Sequence, residues 1–453
     1  MTIINVLNTW LKSNTALLFN ASSLVATTVI TAGLGFFYWW LVAQWFPPEA
    51  VGLASAAISA MMLLGTIGVL GFGTLLIGEI PRQRDNKGSL IVTSLAIVSL
   101  AGCIFGLLFA RVAPWISSNL RPIGENIGVV VLFSLGVSLT SVTLVLDQAL
   151  IGLLRGEYQL GRNIVFALVK LSAILILGIW LAEKNWMIIY TSWIIGNMAS
   201  MAILGMIFIF RQKRIFYRPK WGLIRVLGRP ALFHHSLNLS LQVPVFALPI
   251  LVTILLSTRM NAYFYVAWMV ASLIYIVPVA FSTVLYAVSS KDPTVLVPTI
   301  RLTLLLSLGF GLGANVFLFG FGGQILQLFG PEYAEQAGLI LRVLGFGVFP
   351  LIVRVHYIAI YRITRQLAKP TKLVIITGLI ALSLAAIGAR IGGLYGLSVG
   401  WVAGMCLEAI IMTPVLVSVA VFKKGLPLRE EDYEDQSSPR IDSASTDSSG
   451  IDI

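Results

Sequence analysis

The feature that most constrains this sequence is a series of apolar runs, each about as long as a lipid bilayer is thick. A membrane-spanning helix needs about 20 mostly apolar residues, and charge-free runs near or above that length recur between residues 17 and 422. Charges and prolines separate the runs, as at Pro47, Pro48 and Glu49. Only 11% of the 453 residues are charged, whereas an average soluble domain has about 25%. The sequence therefore predicts an all-α polytopic membrane protein.

The runs predict twelve transmembrane helices in two pseudo-symmetric lobes of six. The N-lobe, residues 17–210, holds spans 17–45, 52–78, 88–110, 127–152, 161–182 and 186–210. The C-lobe, residues 230–422, holds spans 230–257, 261–288, 298–320, 337–362, 372–390 and 394–422. We expect a cytoplasmic N-terminus at 1–16, a basic cytoplasmic linker at 211–229 and an acidic cytoplasmic tail at 423–453. The tail is rich in Ser and Asp, which predicts disorder.

The distribution of basic residues predicts that both ends lie in the cytoplasm. With that orientation, 23 lysines and arginines fall on the inner side and 5 on the outer side, as the positive-inside rule requires. Because this bias accounts for the net charge of +12, no nucleic-acid partner is expected. The two cysteines, Cys103 and Cys406, lie in apolar runs without metal-ligand spacing, and no metal or cofactor is predicted.

The two halves can be aligned at a constant offset of 209 residues. Residues 71–76 then fall on 280–285, and Leu135 and Gly136 fall on Leu344 and Gly345. An even number of spans per half gives two copies in the same orientation, related by an axis along the membrane normal. Transporters use such parallel repeats to move two lobes around a central site. Coincidence between leucine-rich helices is the alternative explanation.

Five short segments carry a resemblance to a known family. They are Phe46-Pro-Pro-Glu-Ala-Val-Gly52, Leu70-Gly-Phe-Gly-Thr74, Phe329-Gly-Pro-Glu-Tyr-Ala334, Leu341-Arg-Val-Leu344 and Gly392-Gly-Leu-Tyr-Gly-Leu-Ser-Val-Gly-Trp401. With them the sequence resembles the polysaccharide transporters, the Wzx-type O-antigen and exopolysaccharide flippases. These belong to the multidrug/oligosaccharidyl-lipid/polysaccharide exporter superfamily. The resemblance covers all twelve spans and omits the tail.

The resemblance implies a MATE-like fold and a transporter that is not an enzyme. Two six-helix lobes would enclose a V-shaped cavity, walled largely by the first, second, seventh and eighth spans. The cargo would be a polyprenyl-diphosphate-linked oligosaccharide, moved across the bacterial inner membrane for surface polysaccharide or lipopolysaccharide assembly. The expected partners are this lipid-linked oligosaccharide, membrane lipids and other polysaccharide-assembly membrane proteins.

Polar residues inside the apolar spans are the candidates for binding such a cargo. In the seventh span they are His234, His235, Asn238 and Gln242, and in the first span Asn20, Thr27 and Thr31. Three of the seventh-span residues, from His235 to Gln242, share one helical face. That face is costly in lipid and indicates a wet cavity. For Thr27 and Thr31, hydrogen bonds to their own helix are an equally good interpretation.

Aromatic residues cluster near the predicted outer ends of the same spans. They are Tyr38, Trp39 and Trp40 in the first span and Tyr263 and Tyr265 in the eighth. Tyrosine and tryptophan are enriched at membrane–water interfaces. We therefore interpret these residues as an interfacial aromatic belt in preference to a sugar-binding surface.

Charged residues within the spans predict two ion pairs, one in each lobe. Asp147 and Lys170 lie in adjacent spans, about 8 and 13 Å from the inner ends of their helices. Arg354 and Glu408 lie in the tenth and twelfth spans and could pair in the same way. The offset of 209 places Asp147 on His356, so each lobe has a titratable group at the same depth. A structural role is one interpretation. In the other, Lys170 or Arg354 binds the diphosphate and Asp147 binds a coupling ion.

Two other functions stay open on the sequence alone. An ion-coupled multidrug or metabolite exporter of the same superfamily fits the fold equally well, although the candidate site holds more bases than acids. A membrane-embedded glycan-transferring enzyme is the alternative from another class. Against it, the predicted outer loops are short and contain no paired carboxylates. The sequence also contains no nucleotide-binding loop, metal motif or nucleophile constellation.

Overall fold

The computed structural model describes residues 15–83, 86–211, 217–218, 222–364 and 366–421. Side chains are described in these ranges except at 15–29, 222–234 and 293. The predicted disordered tail, most of the linker and nearly all of the N-terminal end lie outside the described residues.

The regular elements of these ranges are all helices, which confirms the predicted fold class. The N-terminal half holds α1 (Thr15–Trp45), α2 (Pro48–Gly68), α3 (Phe72–Glu79), α4 (Lys87–Ile116), α5 (Ile127–Gly152), α6 (Gly156–Trp180) and α7 (Trp186–Phe210). The C-terminal half holds α8 (Gly222–Leu255), α9 (Thr258–Lys291), α10 (Leu296–Gln327), α11 (Pro331–Phe346), α12 (Val348–Ile363) and α13 (Ala368–Ala420). Two 3-10 segments, Ser118–Gly124 and Pro293–Val295, join neighbouring helices.

Within the described residues, ten helical stretches are long and apolar enough to cross a membrane. The chain is therefore a multi-pass membrane protein. The 53 residues of α13 are one of the ten, yet a straight helix of that length would measure about 80 Å, far more than the ~30 Å hydrocarbon core. Counting α13 as two spans and adding α1 would give twelve, a number that stays a prediction.

Helix α13 folds back on itself at two glycines. Gly392 and Gly393 leave the helical region, and Gly393 has a φ of 57°, which glycine adopts at little cost. Beyond the bend the two arms touch through their backbones. A Cβ at Gly396 would lie 2.1 Å from the Gly388 carbonyl oxygen, and one at Gly400 would lie 2.2 Å from that of Leu384. These contacts run antiparallel, so α13 is a helical hairpin.

Two of the predicted spans are each built from two helices. The predicted span 52–78 is divided into α2 and α3 at Leu70 and Gly71, whose φ angles are 49° and 82°. The predicted span 337–362 is divided into α11 and α12 at Gly347. A Cβ at Gly347 would lie 2.4 Å from the Tyr275 hydroxyl, so a larger residue is excluded there. Glycine allows both breaks, at the first by its backbone freedom and at the second by its size.

Helix α2 starts where the sequence predicted a boundary. Pro47 is extended and Pro48 occupies the first helical turn, where its missing N–H costs nothing. Glu49 follows in that turn, next to the positive end of the helix dipole. The local sequence therefore accounts for the position at which α2 begins.

Candidate functional site between the lobes

The two halves of the chain meet along a seam between five helices. Helices α1, α2 and α3 of the first half pack against α8 and α9 of the second, with α2 and α9 in the middle of the seam. Helices α1, α2, α8 and α9 correspond to the four spans that the family resemblance implied as cavity walls. The seam is therefore the candidate functional site.

One end of the seam, which we call the sealed end, is closed by direct backbone contact. The Asn261 side-chain amide donates to the Gly52 carbonyl oxygen at 2.8 Å and to the Ser55 hydroxyl at 3.0 Å. A Cβ on Gly52 would lie 1.7 Å from the Thr258 carbonyl oxygen. Only glycine fits at this crossing, and Asn261 and Ser55 are both fully buried.

Two further hydrogen bonds flank this crossing in a symmetric way. The Gln44 amide donates to the Leu328 carbonyl oxygen at 2.5 Å, and the Asn119 amide donates to the Thr253 carbonyl oxygen at 2.8 Å. The offset of 209 converts the first pair of positions into the second, and it also converts Gly52 into Asn261. Residues related by the repeat thus contact each other, which places a pseudo-twofold axis at the sealed end and supports the parallel repeat.

A charged cluster covers the sealed end at its exposed rim. The Arg259 guanidinium donates from Nε to Glu332 at 3.0 Å and lies 3.6 Å from the Glu49 carboxylate of the other half. Tyr263 also donates to Glu332. The Arg259, Glu49 and Glu332 side chains are 51%, 54% and 40% exposed. Exposed pairs of this kind contribute little stability, so the rim can open without a large cost.

The aromatic residues of α1 and α9 are mostly buried between helices, and the predicted interfacial belt is wrong for most of them. Tyr38 and Trp39 are 0% and 4% exposed, and Tyr263 is 1% exposed. The Trp39 ring lies 4.6 Å from the Tyr265 ring across the seam. The Tyr38 hydroxyl donates to the Ile189 carbonyl oxygen within its own half. These rings therefore pack the sealed half of the site.

The other end of the seam, which we call the polar end, carries the polar side chains of α8. His235 of α8 contacts the Thr66 carbonyl oxygen of α2 at 3.0 Å. A carbonyl only accepts, so Nε2 of the imidazole donates. Asn238 and Gln242, on the same face of α8, are exposed. One residue of the predicted polar stripe, His235, therefore contacts the other lobe, and the other two are exposed on the same helical face.

The remaining candidates from the sequence are placed as follows. Thr31 of α1 is half-buried. The side chains of Asn20, Thr27 and His234 lie outside the described part of the chain. The structure therefore describes the side chains of three of the four seventh-span candidates, and one of them, His235, contacts the other lobe.

The predicted pair between Asp147 and Lys170 is wrong. Asp147 is bound by Arg162, whose Nε and Nη2 donate to the two carboxylate oxygens at 2.7 and 2.6 Å. Asn163 donates to the same carboxylate at 3.3 Å, and Arg162 is only 6% exposed. Arg162 lies a little over two helical turns before Lys170 on α6, and its longer planar fork matches a carboxylate better than an ammonium does.

Lys170 instead lies in a cage of aromatic rings. Its ammonium is 4.5 Å from the Tyr38 ring centre, 4.9 Å from that of Phe166 and 4.1 Å from that of Trp193. The side chain is buried, and within the described ranges no carboxylate pairs with it. Cation–π contacts are worth about 2 kcal/mol or more when desolvated. The cage joins α1, α6 and α7 around one charge.

These two cations on α6 should respond oppositely to the same substitution. Arg162→Met strands the Asp147 carboxylate and should reduce the free energy of unfolding by about 3–5 kcal/mol. Lys170→Met removes a buried charge that has no carboxylate partner within the described residues. Its free energy of unfolding should therefore stay within about 1 kcal/mol of the wild-type value. Thermal unfolding of both purified variants measures the difference. An equal loss in the two would show that Lys170 is as necessary for folding as Arg162.

In the second half the predicted contact between Arg354 and Glu408 is present. Arg354 donates to Glu408 Oε2 from Nε at 2.7 Å and also from Nη2. The two side chains are 11% and 2% exposed. Glu408 Oε1 has no hydrogen-bond partner within the described residues. A buried carboxylate with one orphaned oxygen can accept a proton or a cation there.

His356 lies at the C-lobe position that corresponds to Asp147 and is fully buried. Its Nδ1 donates to the Ile352 carbonyl oxygen at 2.8 Å, and its Nε2 is 3.1 Å from the Thr303 hydroxyl. Both partners belong to its own lobe. The repeat therefore preserves a polar group at this depth but not its chemistry.

The sequence of the chain can be compared with known families at this point. Residues 17–292 match the polysaccharide biosynthesis protein family, which is more than half of the 453 residues. The chain belongs to this family. No curated protein matches the chain significantly.

Solved structures show the same fold for this polysaccharide biosynthesis protein. An inward-facing multidrug resistance MATE family transporter of the MOP superfamily is 19% identical, with a TM-score of 0.64 over 87% of this chain and 96% of that chain. The lipid II flippase MurJ in an inward closed conformation is 14% identical, with a TM-score of 0.67 over 87% and 89%. The outward-facing MATE transporter is 15% identical, with a TM-score of 0.59 over 89% and 96%. The predicted MATE-like fold is confirmed.

Sequence reasoning missed the residues that close the sealed end of this family member. Gly52, Asn261, Gln44 and Asn119 are ordinary residues in an apolar sequence, and none was a candidate. The offset of 209 pairs Gly52 with Asn261 directly. A search for small or amide residues at offset-related positions would have found this crossing.

Proposed function

We propose that this polysaccharide biosynthesis protein is a flippase for a polyprenyl-diphosphate-linked oligosaccharide in the bacterial inner membrane. The observation that carries the proposal is a seam between two repeat-related lobes that is closed by backbone contact at one end and carries polar side chains of α8 at the other. Membership of a polysaccharide biosynthesis family supports a glycan cargo, and the fold shared with a lipid II flippase supports a lipid carrier. No catalytic residue is proposed.

The charge distribution assigns sides to the seam. With both termini cytoplasmic, the sealed end faces the periplasm and the polar end faces the cytoplasm, where we propose that the cleft opens. The oligosaccharide then enters from the cytoplasmic side while its polyprenyl chain remains in lipid. Movement of the lobes about the axis near Gly52 and Asn261 would separate the contacts of the rim cluster at the sealed end and close the polar end. This is alternating access between two conformations of one site.

The polar stripe provides the groups that such a cargo requires. Asn238 and Gln242 offer amide donors and acceptors to sugar hydroxyls, and His235 lies on the same face nearer the cytoplasmic end of α8. We assign Asn20, Thr27, Thr31 and His234 to the same cleft as further sugar ligands. Arg354 is the proposed diphosphate ligand of the C-lobe, where it would have to exchange part of its contact with Glu408 for phosphate.

Energy for net transport would come from an ion gradient or the membrane potential. Glu408 is the first candidate for the coupling site, because its free carboxylate oxygen is buried. Asp147, Lys170 and His356 are the other titratable groups within the spans. Asp147 and Lys170 are held respectively by Arg162 and by the aromatic cage, so a structural role competes with coupling at both.

Reporter fusions test the sidedness on which this proposal depends. The 23-to-5 distribution of basic residues predicts that alkaline phosphatase fused after Gly330, between α10 and α11, is active in the periplasm. Green fluorescent protein fused after Thr364, between α12 and α13, should fluoresce in the cytoplasm. The opposite pattern would place the polar end on the periplasmic side and contradict entry of the cargo from the cytoplasmic leaflet.

Deletion of the gene in its native host tests the cargo. The flippase proposal predicts loss of a surface polysaccharide and accumulation of its lipid-linked oligosaccharide on the inner leaflet. Normal surface glycan with increased drug sensitivity would instead indicate an exporter. Accumulation of an unextended or unmodified glycan, with normal flipping, would indicate a glycan-transferring enzyme. Complementation by the wild-type gene is the control.

A further inference from the structure

A cavity lies within the N-lobe, away from the seam between the lobes. It has a volume of about 570 Å³ and is walled by helices α4, α5, α6 and α7, at the same end of the molecule as the polar end of the seam. Its walls are mostly aliphatic or aromatic, with Ile91, Leu95, Leu146, Met201 and Phe208 among them. The size is that of a site for a drug-sized ligand, and the lining suits a hydrocarbon chain.

Basic and tyrosine side chains surround the mouth of this cavity. Lys87 and Arg155 line it, together with Tyr158 and Tyr217. Arg211 donates to the Tyr158 hydroxyl at 2.6 Å and lies over its ring at 5.6 Å. The rim is therefore positive next to an apolar interior.

One carboxylate opposes these cations. Glu157 lies 3.4 Å from Arg155, but the two side chains are 60% and 54% exposed, so their attraction is weak. Three cations against one carboxylate leave a net charge of +2 at the rim. Tyr217, from the segment between the lobes, closes over α4, where a Cβ on Gly88 would lie 2.3 Å from its ring.

We propose that this cavity binds one anionic phospholipid, with its phosphate among Lys87, Arg155 and Arg211 and an acyl chain between α4 and α7. Basic pockets between transmembrane helices attract anionic headgroups in this way. A resident phospholipid is favoured over the transported lipid because the cavity lies inside one lobe and does not open into the cleft. The bound lipid would hold Tyr217 against the N-lobe. The proposal does not depend on the cargo of the cleft.

Lipid binding to the purified, delipidated full chain tests this site. Native mass spectrometry with phosphatidylglycerol and phosphatidylcholine of identical acyl chains should show one tight phosphatidylglycerol, bound at least tenfold more strongly. Each of Lys87→Gln, Arg155→Gln and Arg211→Gln should lower that preference about fivefold, from ~1 kcal/mol per charge. The preference should also fall with ionic strength.

A steric variant tests the cavity independently of its charges. Gly205 lines the cavity, and a Cβ there would have no atom within 4 Å, so the side chain of Gly205→Leu should occupy the cavity and remove the tight lipid. Gly161→Leu is the matched control, because Gly161 also has open space but lies outside the cavity lining. Equal binding of both phospholipids, or tight binding that survives both kinds of variant, would overturn the site. Stronger binding of a polyprenyl phosphate than of phosphatidylglycerol would overturn the phospholipid assignment.

Discussion

Glu408→Ala should reduce the free energy of unfolding by about 3–5 kcal/mol and strongly lower the amount of folded protein in the membrane. Glu408 is the partner of Arg354, and the two side chains are only 2% and 11% exposed. Removing the carboxylate leaves the guanidinium charged in an apolar interior. Removing both partners takes both charges out, so the double variant with Arg354→Ala should be milder than either single one.

Single and double variants also separate a structural pair from a phosphate ligand. Membrane protein level and glycan export are measured together for each. If Arg354 acts mainly on the cargo, Arg354→Ala keeps a normal protein level and loses export, and Arg354→Lys restores part of it because a point charge still attracts phosphate. Arg342→Ala is the matched control, since Arg342 is an exposed arginine of the neighbouring helix α11. Full export at a normal level in Arg354→Ala would exclude both roles.

Gly52→Val should stop the sealed end from closing and reduce export at least tenfold. A Cβ at Gly52 would lie 1.7 Å from the Thr258 carbonyl oxygen and 2.9 Å from the Ala262 nitrogen. These are backbone atoms, which cannot move aside as the end of a flexible side chain can, so the two lobes must separate to make room for the valine. Overpacking typically costs about 1–3 kcal/mol, which a membrane protein of this size can sustain while folded.

Accessibility of Ser55, which is fully buried at the crossing, reports the opening. A single cysteine placed there by Ser55→Cys, with Cys103 and Cys406 replaced by alanine, should react with an external membrane-impermeant maleimide faster when Gly52→Val is present. Gly33→Val on α1 is the control, because a Cβ at Gly33 has no atom within 4 Å. Unchanged labelling and export in Gly52→Val would show that this crossing does not close the site.

The helical class and most of the spans follow from the sequence because they depend on local composition. Apolar runs of bilayer length can satisfy their backbone groups only as helices. The bend at Gly392 and Gly393 was also predicted, because these residues lie between the spans 372–390 and 394–422. The breaks at Gly71 and Gly347 were not, since they lie inside the predicted spans 52–78 and 337–362. The repeat is a further property that an offset alignment can detect.

The partners of buried charges could not be deduced in the same way. Depth along a helix is known from residue number, but its rotation and the reach of each side chain depend on packing. Lys170 and Arg162 both lie on α6, and only the packed structure shows that Arg162 reaches Asp147 while Lys170 points to three aromatic rings. The pair of Arg354 and Glu408 was predicted correctly because Glu408 is the one carboxylate in the middle of a C-lobe span.

What the sequence alone determined, therefore, is a helical multi-pass membrane protein of two repeated halves with a polar stripe on its seventh predicted span. The tertiary structure decided which surfaces face each other. Tyr38 and Trp39 are of the residue types that form interfacial belts, yet the packing of α1 against its neighbours buries them. Gly52 and Asn261 gain their role only when two helices 209 residues apart cross at the axis. Contacts between distant segments require both helices to be positioned, and no local pattern contains that information.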